Sequence, residues 1–412
     1  MSQDAYASLR RPGYRRFMGG ALCVNLAAQV MLVAVSFHLY NVTRHVSSLA
    51  WLALMNYLPI LLLSLPAGWL SDHWDRRVVL RGAQALQLAA ALGLLAVALS
   101  GAPLWAWYPL ILLHASGRAL QTPAAVSLYP LLITEAEVPR AVSFNSANYQ
   151  AGAIVGPILG GVLTSLWGVL PGLAFAAAGP ALGLALISRL DLLRPASPPP
   201  AERFREKLLG GFRFVNQQRA ILGALSVDFV AVLFGGVDGI LPVFAVDILH
   251  CGAWGQGLLK AGIFLGAFMM SSFLLHRPRL PRPGRTMLGA VAGFGVCMLV
   301  FGFSTSFWLS LGALVVAGML DQVSVYVRQT LVQLRTPEAL RGRVQAVNFL
   351  FIGSSNELGE FESAVTAGWL GPVGSVLLGG VAVLLAVATW SVLFKELRTL
   401  DSLAPEAPAA AP

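Results

Sequence analysis

A small set of ionisable side chains lies in stretches otherwise suited to hydrocarbon: His38, His114, Arg118, Asp228, Asp238, Asp321, Arg328, Glu357, Glu360 and Glu362. A charge held within a membrane is costly, and where one persists it ordinarily marks function. Glu357 and Glu360, three apart, share one helix face. Counting from Val344 at 1.5 Å per residue, Glu357 lies roughly 20 Å in, near the middle of a hydrocarbon core about 30 Å thick. Two carboxylates this close oppose each other's charge, and desolvation favours the neutral form. Binding and releasing protons is the chemistry this pair fits, with Asp238 and Asp321 next in line. Arg118 and Asp321 correspond under an internal repeat and form a candidate charge pair across a cavity. Asn25 and Gln29, four apart, supply polar groups for a substrate cavity with Arg118, Gln121 and Asn356. Duller roles compete. Arg328 and Glu362 can reach an interface, His38 and His114 can be satisfied structural histidines, and Asp228 can be locked to an inner arginine. No nucleophile constellation or metal-ligand cluster appears. Gly-x-x-x-x-Gly-Lys is absent, so neither ATP-driven transport, an enzyme activity, a metal nor a cofactor is expected.

Elements that could hold these groups follow from composition. The chain has 412 residues, 57% hydrophobic and 11% charged, with mean hydropathy +0.72; a soluble domain carries about 25% charged residues. Twelve apolar segments have spanning length, about 20 residues: 14–40, 46–70, 79–100, 104–130, 142–167, 170–189, 219–247, 254–276, 286–304, 306–330, 344–368 and 372–394. In lipid such spans must be helices, so the expected class is all-α membrane protein. The N-terminal run continues too far for a secretion signal and shows no small-residue cleavage site. All but Arg44, Arg118, Lys260 and Arg328 of the 28 Lys and Arg residues fall at the ends or in alternate loops. Positive charge accumulates on the cytoplasmic side, which places both termini there and makes the net charge of +9 a topology signal rather than a nucleic-acid footprint. Cys23, Cys251 and Cys297 share no aqueous compartment, so no disulfide is expected.

The longest linker, 191–218, separates a six-helix bundle at 1–190 from another at 219–398. It opens with Pro195-Ala-Ser-Pro-Pro-Pro200 and then repeats Phe204, Leu208, Leu209, Phe212 and Val215 at helical spacing, as an amphipathic helix on the inner membrane surface would. Residues 399–412 form an Ala/Pro-rich tail expected to be disordered. A shift of 203 residues brings Glu135 onto Glu338, Arg140 onto Arg343, Asn145 onto Asn348 and Gly156 onto Gly359.

Between the second and third segments runs Pro-Ala-Gly-Trp-Leu-Ser-Asp-His-Trp-Asp-Arg-Arg, residues 66–77. It resembles the loop signature of major facilitator superfamily (MFS) transporters, with Gly68, Leu70, Asp72, Arg76, Arg77 and Leu80 in register; His73 and Asp75 depart from it. Arg118-Ala-Leu-Gln121 resembles the fourth-helix element of that family. Gly152-Ala-Ile-Val-Gly156-Pro157-Ile-Leu-Gly160-Gly161 resembles the fifth-helix element associated with antiporters; its glycines allow close helix contact. The run from Arg341 to Glu362 resembles the enterobactin-exporter-like branch. The resemblance implies two pseudo-symmetric bundles of six helices with a site at their interface. It also implies a monomeric proton antiporter that exports a small organic molecule from the bacterial cytoplasm across the inner membrane by alternating access. Gly68, Asp72, Arg76 and Arg77 would gate, Asp72 meeting the positive helix end near Val344. An uptake symporter, or a non-transporting sensor or assembly protein on the same fold, are the competing readings.

Overall fold

The computed structural model describes residues 7–190, 192–193, 204–276 and 280–403. The Pro195–Pro200 run, Arg277, Arg279 and the tail from Ala404 lie outside the described residues. Among the described residues there is no strand. The chain forms two compact units.

The first unit holds Met1–Ala201 and Phe244–Ala261. Its helices are α1 (Pro12–Thr43), α2 (Ser47–His73), α3 (Arg76–Ser100), α4 (Trp107–Leu128), α5 (Val138–Trp167) and α6 (Val169–Ile187). α1 packs on α5 and α6, α3 on α4 and α6, and α2 on α4. Proline interrupts the ladder in α2, which bends by 51° between Leu63 and Pro66. Asp75 caps α3 by accepting the Arg77 N–H at 2.8 Å, and Gly101, at φ 65°, ends it in the left-handed conformation. Tyr14, Leu80, Leu128 and Ile133 close one end of the core.

The second unit holds Glu202–Val243 and Gly262–Pro412. Its helices are α7 (Phe204–Gln217), α8 (Arg219–Gly235), the later part of α9 (Gly252–His276), α10 (Pro283–Phe303), α11 (Phe307–Arg335) and α12 (Arg341–Leu393). α12 packs on α7, α8 and α10, and α10 on α11. Ile221, Met287, Leu331 and Val347 are fully buried among these helices.

By length and composition, nine helices among the described residues can cross a membrane, or ten if bent α2 is one span. Twelve segments are read from the sequence, and the difference has two sources. α12 counts once although Gly371 (φ 76°, ψ 164°) breaks it into two helices. α4, with His114, Arg118 and Gln121, falls outside the apolar set.

The seventh segment is not one helix. α8 stops at Gly235, and a 3-10 turn at Asp238–Ile240 and a π turn at Phe244–Ile248 follow. Asp238, expected within a helix, sits in this break. Two adjacent glycines, Gly235 and Gly236, weaken the helix. A Cβ at Gly239 would strike the Glu360 carbonyl oxygen, so the broken backbone lies directly on α12.

Candidate functional site

α11 presents Asp321, Ser324 and Arg328 along one face, at helical spacing. Long helical side chains lean toward the N-terminus, which turns the Arg328 guanidinium back toward Ser324 and Asp321. Across from it, Asp228 of α8 accepts a hydrogen bond from Ser324 Oγ at 2.8 Å and stands 3.4 Å from Arg328 Nε. Arg328 also donates to Asn348 Oδ1 of α12 at 3.1 Å, and Asn348 Nδ2 donates to Gln345 at 3.3 Å. Asp321 lies within electrostatic reach of both Asp228 and Arg328. Three helices thus meet at one cation and two acids. Arg328 is 3% exposed and Asp228 5%, so Arg328 does not reach an interface as the sequence allowed. It is the buried partner of Asp228.

Farther along α12, Glu357 and Glu360 are half-buried and Asn356 is exposed. Gly236 lies beside Gly359, and Gly239 against the Glu360 backbone, so the break carrying half-buried Asp238 rests on the turn that carries these acids. Glu362 is half-buried.

The first unit gathers a second polar set. Gln87, fully buried, donates to Gln121 Oε1 at 2.7 Å, tying α3 to α4. Gln84 is 2% exposed and lies against Gly183. Arg118 is half-buried one turn from buried His114, while His38 stacks on Trp107 with centroids 4.8 Å apart. Asn25 donates to the Tyr149 carbonyl at 3.1 Å, and Asn25 and Gln29 occupy the space above Gly152 and Gly156. Gly160 lies against the backbone of Val30, so the α5 glycine face meets α1. Pro157 and Gly161 lie against Gly257 and Ala253 of α9.

At the loop signature between α2 and α3, Asp72 is exposed and Gly68 has open space where a Cβ would stand. The local ion pair belongs to Asp75 and Arg77, at 2.8 Å. This hydrogen bond holds the Asp75 carboxyl below its ordinary value. Arg11 pairs with Glu137 at 2.8 Å. Burial pushes the Glu137 carboxyl up, but the Thr134 N–H and hydroxyl and the Arg11 guanidinium hold it below the usual 4.5. Cys251, between the seventh and eighth apolar segments, is 8% exposed, and burial raises its thiol to about 11.

Sequence reasoning did not join Ser324 and Asn348 to the Arg328 network. The signal was the 321, 324, 328 spacing along one helix face. Among the described residues no cluster of His, Cys, Asp and Glu could hold a metal ion.

A family profile described as transmembrane secretion effector matches residues 3–412. The chain is 30% identical over 339 residues to the enterobactin exporter EntS of Citrobacter koseri, covering 80% of this chain and 79% of that one. It is 29% identical over 347 residues to EntS of Escherichia coli O1:K1 / APEC, covering 82% and 81%. Among solved structures, a POT family transporter in complex with 5-aminolevulinic acid superposes with TM-score 0.72 at 14% identity, over 93% of this chain and 96% of that one. A D-xylose-proton symporter does so with TM-score 0.69 at 12%, over 94% and 99%. These structures share the fold.

Proposed function

The chain belongs to the transmembrane secretion effector family of MFS transporters, an integral membrane carrier rather than an enzyme, and from that premise we propose that it exports a small organic molecule in exchange for protons. Twelve helices in two six-helix bundles would rock between inward- and outward-open states, with both termini on the cytoplasmic side of a bacterial inner membrane and a monomer as the working unit.

The observation that carries the coupling half of this reading is acidic groups gathered around α12. Glu357 and Glu360 share a face of it, the Asp238 break packs on the Glu360 backbone, and Asp321 lies within reach of the Arg328–Asp228 pair tied to Asn348 of the same helix. A carboxylate that loads a proton from one side and releases it to the other needs a low-dielectric position and a conformational change that alters its access. Acids on a helix held by both a broken segment and a buried charge network meet that requirement. Asn25, Gln29, Arg118, Gln121 and Asn356 are proposed to line the substrate path. Because relatives are enterobactin exporters, a siderophore of that kind is the first substrate to test.

The experiment is proton movement on adding substrate to proteoliposomes. Replacing both Glu357 and Glu360 by Gln should abolish proton-driven export while leaving exchange of substrate down its own gradient. Full substrate-dependent proton flux in the double variant would move coupling to Asp238 and Asp321.

A further inference from the structure

The end of α11 and the start of α12 enclose a cleft of about 370 Å³, lined by Val332, Gln333, Leu334, Thr336, Arg341 and Gln345. Its chemistry is one-sided. Arg341 is exposed at the first turn of α12, where the helix dipole favours negative charge. Gln333 and Gln345 add amide donors. Thr336 is 3% exposed, and its hydroxyl has no hydrogen-bond partner among the described residues. A buried polar group left without a partner is costly, so an orphan hydroxyl at a cationic cleft points to a ligand.

The equivalent stretch of the first unit shows what that ligand supplies. There the Glu137 carboxylate accepts from the Thr134 N–H and hydroxyl, both at 2.8 Å, and from Arg11 at 2.8 Å. Under the 203-residue shift Glu137 falls on Leu340, and Thr134 on Pro337, next to Thr336. Arg11 falls on Phe214, so the second unit has a threonine one position away, no arginine in register, and Leu340 where the first unit has its carboxylate. The nearest acid of the turn, Glu338, is exposed and is not among the lining residues.

We propose that this cleft binds a phosphate-type anion, held by the Arg341 guanidinium and the otherwise unpartnered Thr336 hydroxyl. The group is a phosphomonoester or phosphodiester oxyanion, presented either by an anionic phospholipid headgroup or by a free phosphate compound.

The test uses the purified full-length protein, and its readouts are thermal unfolding and native mass spectrometry. One arm adds inorganic phosphate in neutral detergent. The other compares nanodiscs of phosphatidylcholine with nanodiscs containing phosphatidylglycerol. Wild type should be stabilised by inorganic phosphate in detergent, with no preference between the two nanodiscs, if the source is a free compound, and by phosphatidylglycerol over phosphatidylcholine, with retained lipid, if it is a headgroup. Thr336→Val and Arg341→Gln should each weaken the effect roughly tenfold, the loss expected for one charge-assisted hydrogen bond. Thr336→Val removes an unpartnered hydroxyl and should fold normally, so it keeps the test clear of misfolding. Equal responses of wild type and both variants in both arms would overturn the proposal.

Discussion

At the scale of single residues, Arg328 and Asp228 make the sharpest commitment. Taking two charges out of water costs several kcal/mol per ion, and they remain tolerable only together. Asp228→Asn leaves Arg328 at 3% exposure beside a neutral amide, so we expect destabilisation of about 3–5 kcal/mol, read as a lowered midpoint of thermal unfolding. Adding Arg328→Gln should recover part of it; a double variant no better than the single would show that the two residues act independently. The loop signature between α2 and α3 separates two acids in the same way. Asp75 caps α3, so Asp75→Ala should cost about 1 kcal/mol of stability. Asp72 is exposed, and Asp72→Asn should leave the midpoint unchanged yet slow transport. Wild-type turnover in that variant would reduce the motif to a topology signal. Asp75 was legible only as a departure from a family pattern, because the cap depends on a turn that the pattern does not describe.

At the scale of elements, glycine placement decides which helices approach closely. A Cβ at Gly318 of α11 would land on the Ile263 carbonyl of α9, and one at Gly266 of α9 on the Val315 carbonyl of α11. At Gly312, one turn and a half earlier on α11, a Cβ meets open space. Gly318→Ala should therefore overpack this contact by about 1–3 kcal/mol, whereas Gly312→Ala should be neutral or gain up to about 1 kcal/mol of helix propensity. Parallel loss in both variants, by thermal unfolding in one detergent, would refute this reading of α11. Helix positions were legible because spanning length and apolar run are one signal. The break in the seventh segment was not. Its residues are as apolar as a helix, and what opens it is the close approach of Gly239 to the Glu360 backbone, a contact across more than 100 positions of chain.

At the scale of the whole molecule, the fold was legible from composition, the length of the apolar segments and three motifs in order, while where the cations fall gives an orientation still to be tested. The charge network was legible only in part. Asp228, Asp321 and Arg328 stood out as ionisable residues among apolar ones, but Ser324 and Asn348 are polar residues of ordinary kinds whose role depends on which helices meet. The orientation can be tested where accessibility is real. Cys251 is a poor probe, since it is 8% exposed and its thiol, raised to about 11, is scarcely ionised near neutral pH. Thr305 follows α10 in an exposed turn, and Gln217 ends α7 exposed. With the three native cysteines replaced by alanine, a cysteine at Thr305 should react with a membrane-impermeant maleimide in intact cells, because it lies at the opposite end of α10 from the basic residues of the 277–285 stretch, which are expected on the cytoplasmic side. A cysteine at Gln217 should react only after permeabilisation, because cations surround it in sequence. The reverse pattern would invert the carrier, and with it the side from which Glu357 and Glu360 would load their protons.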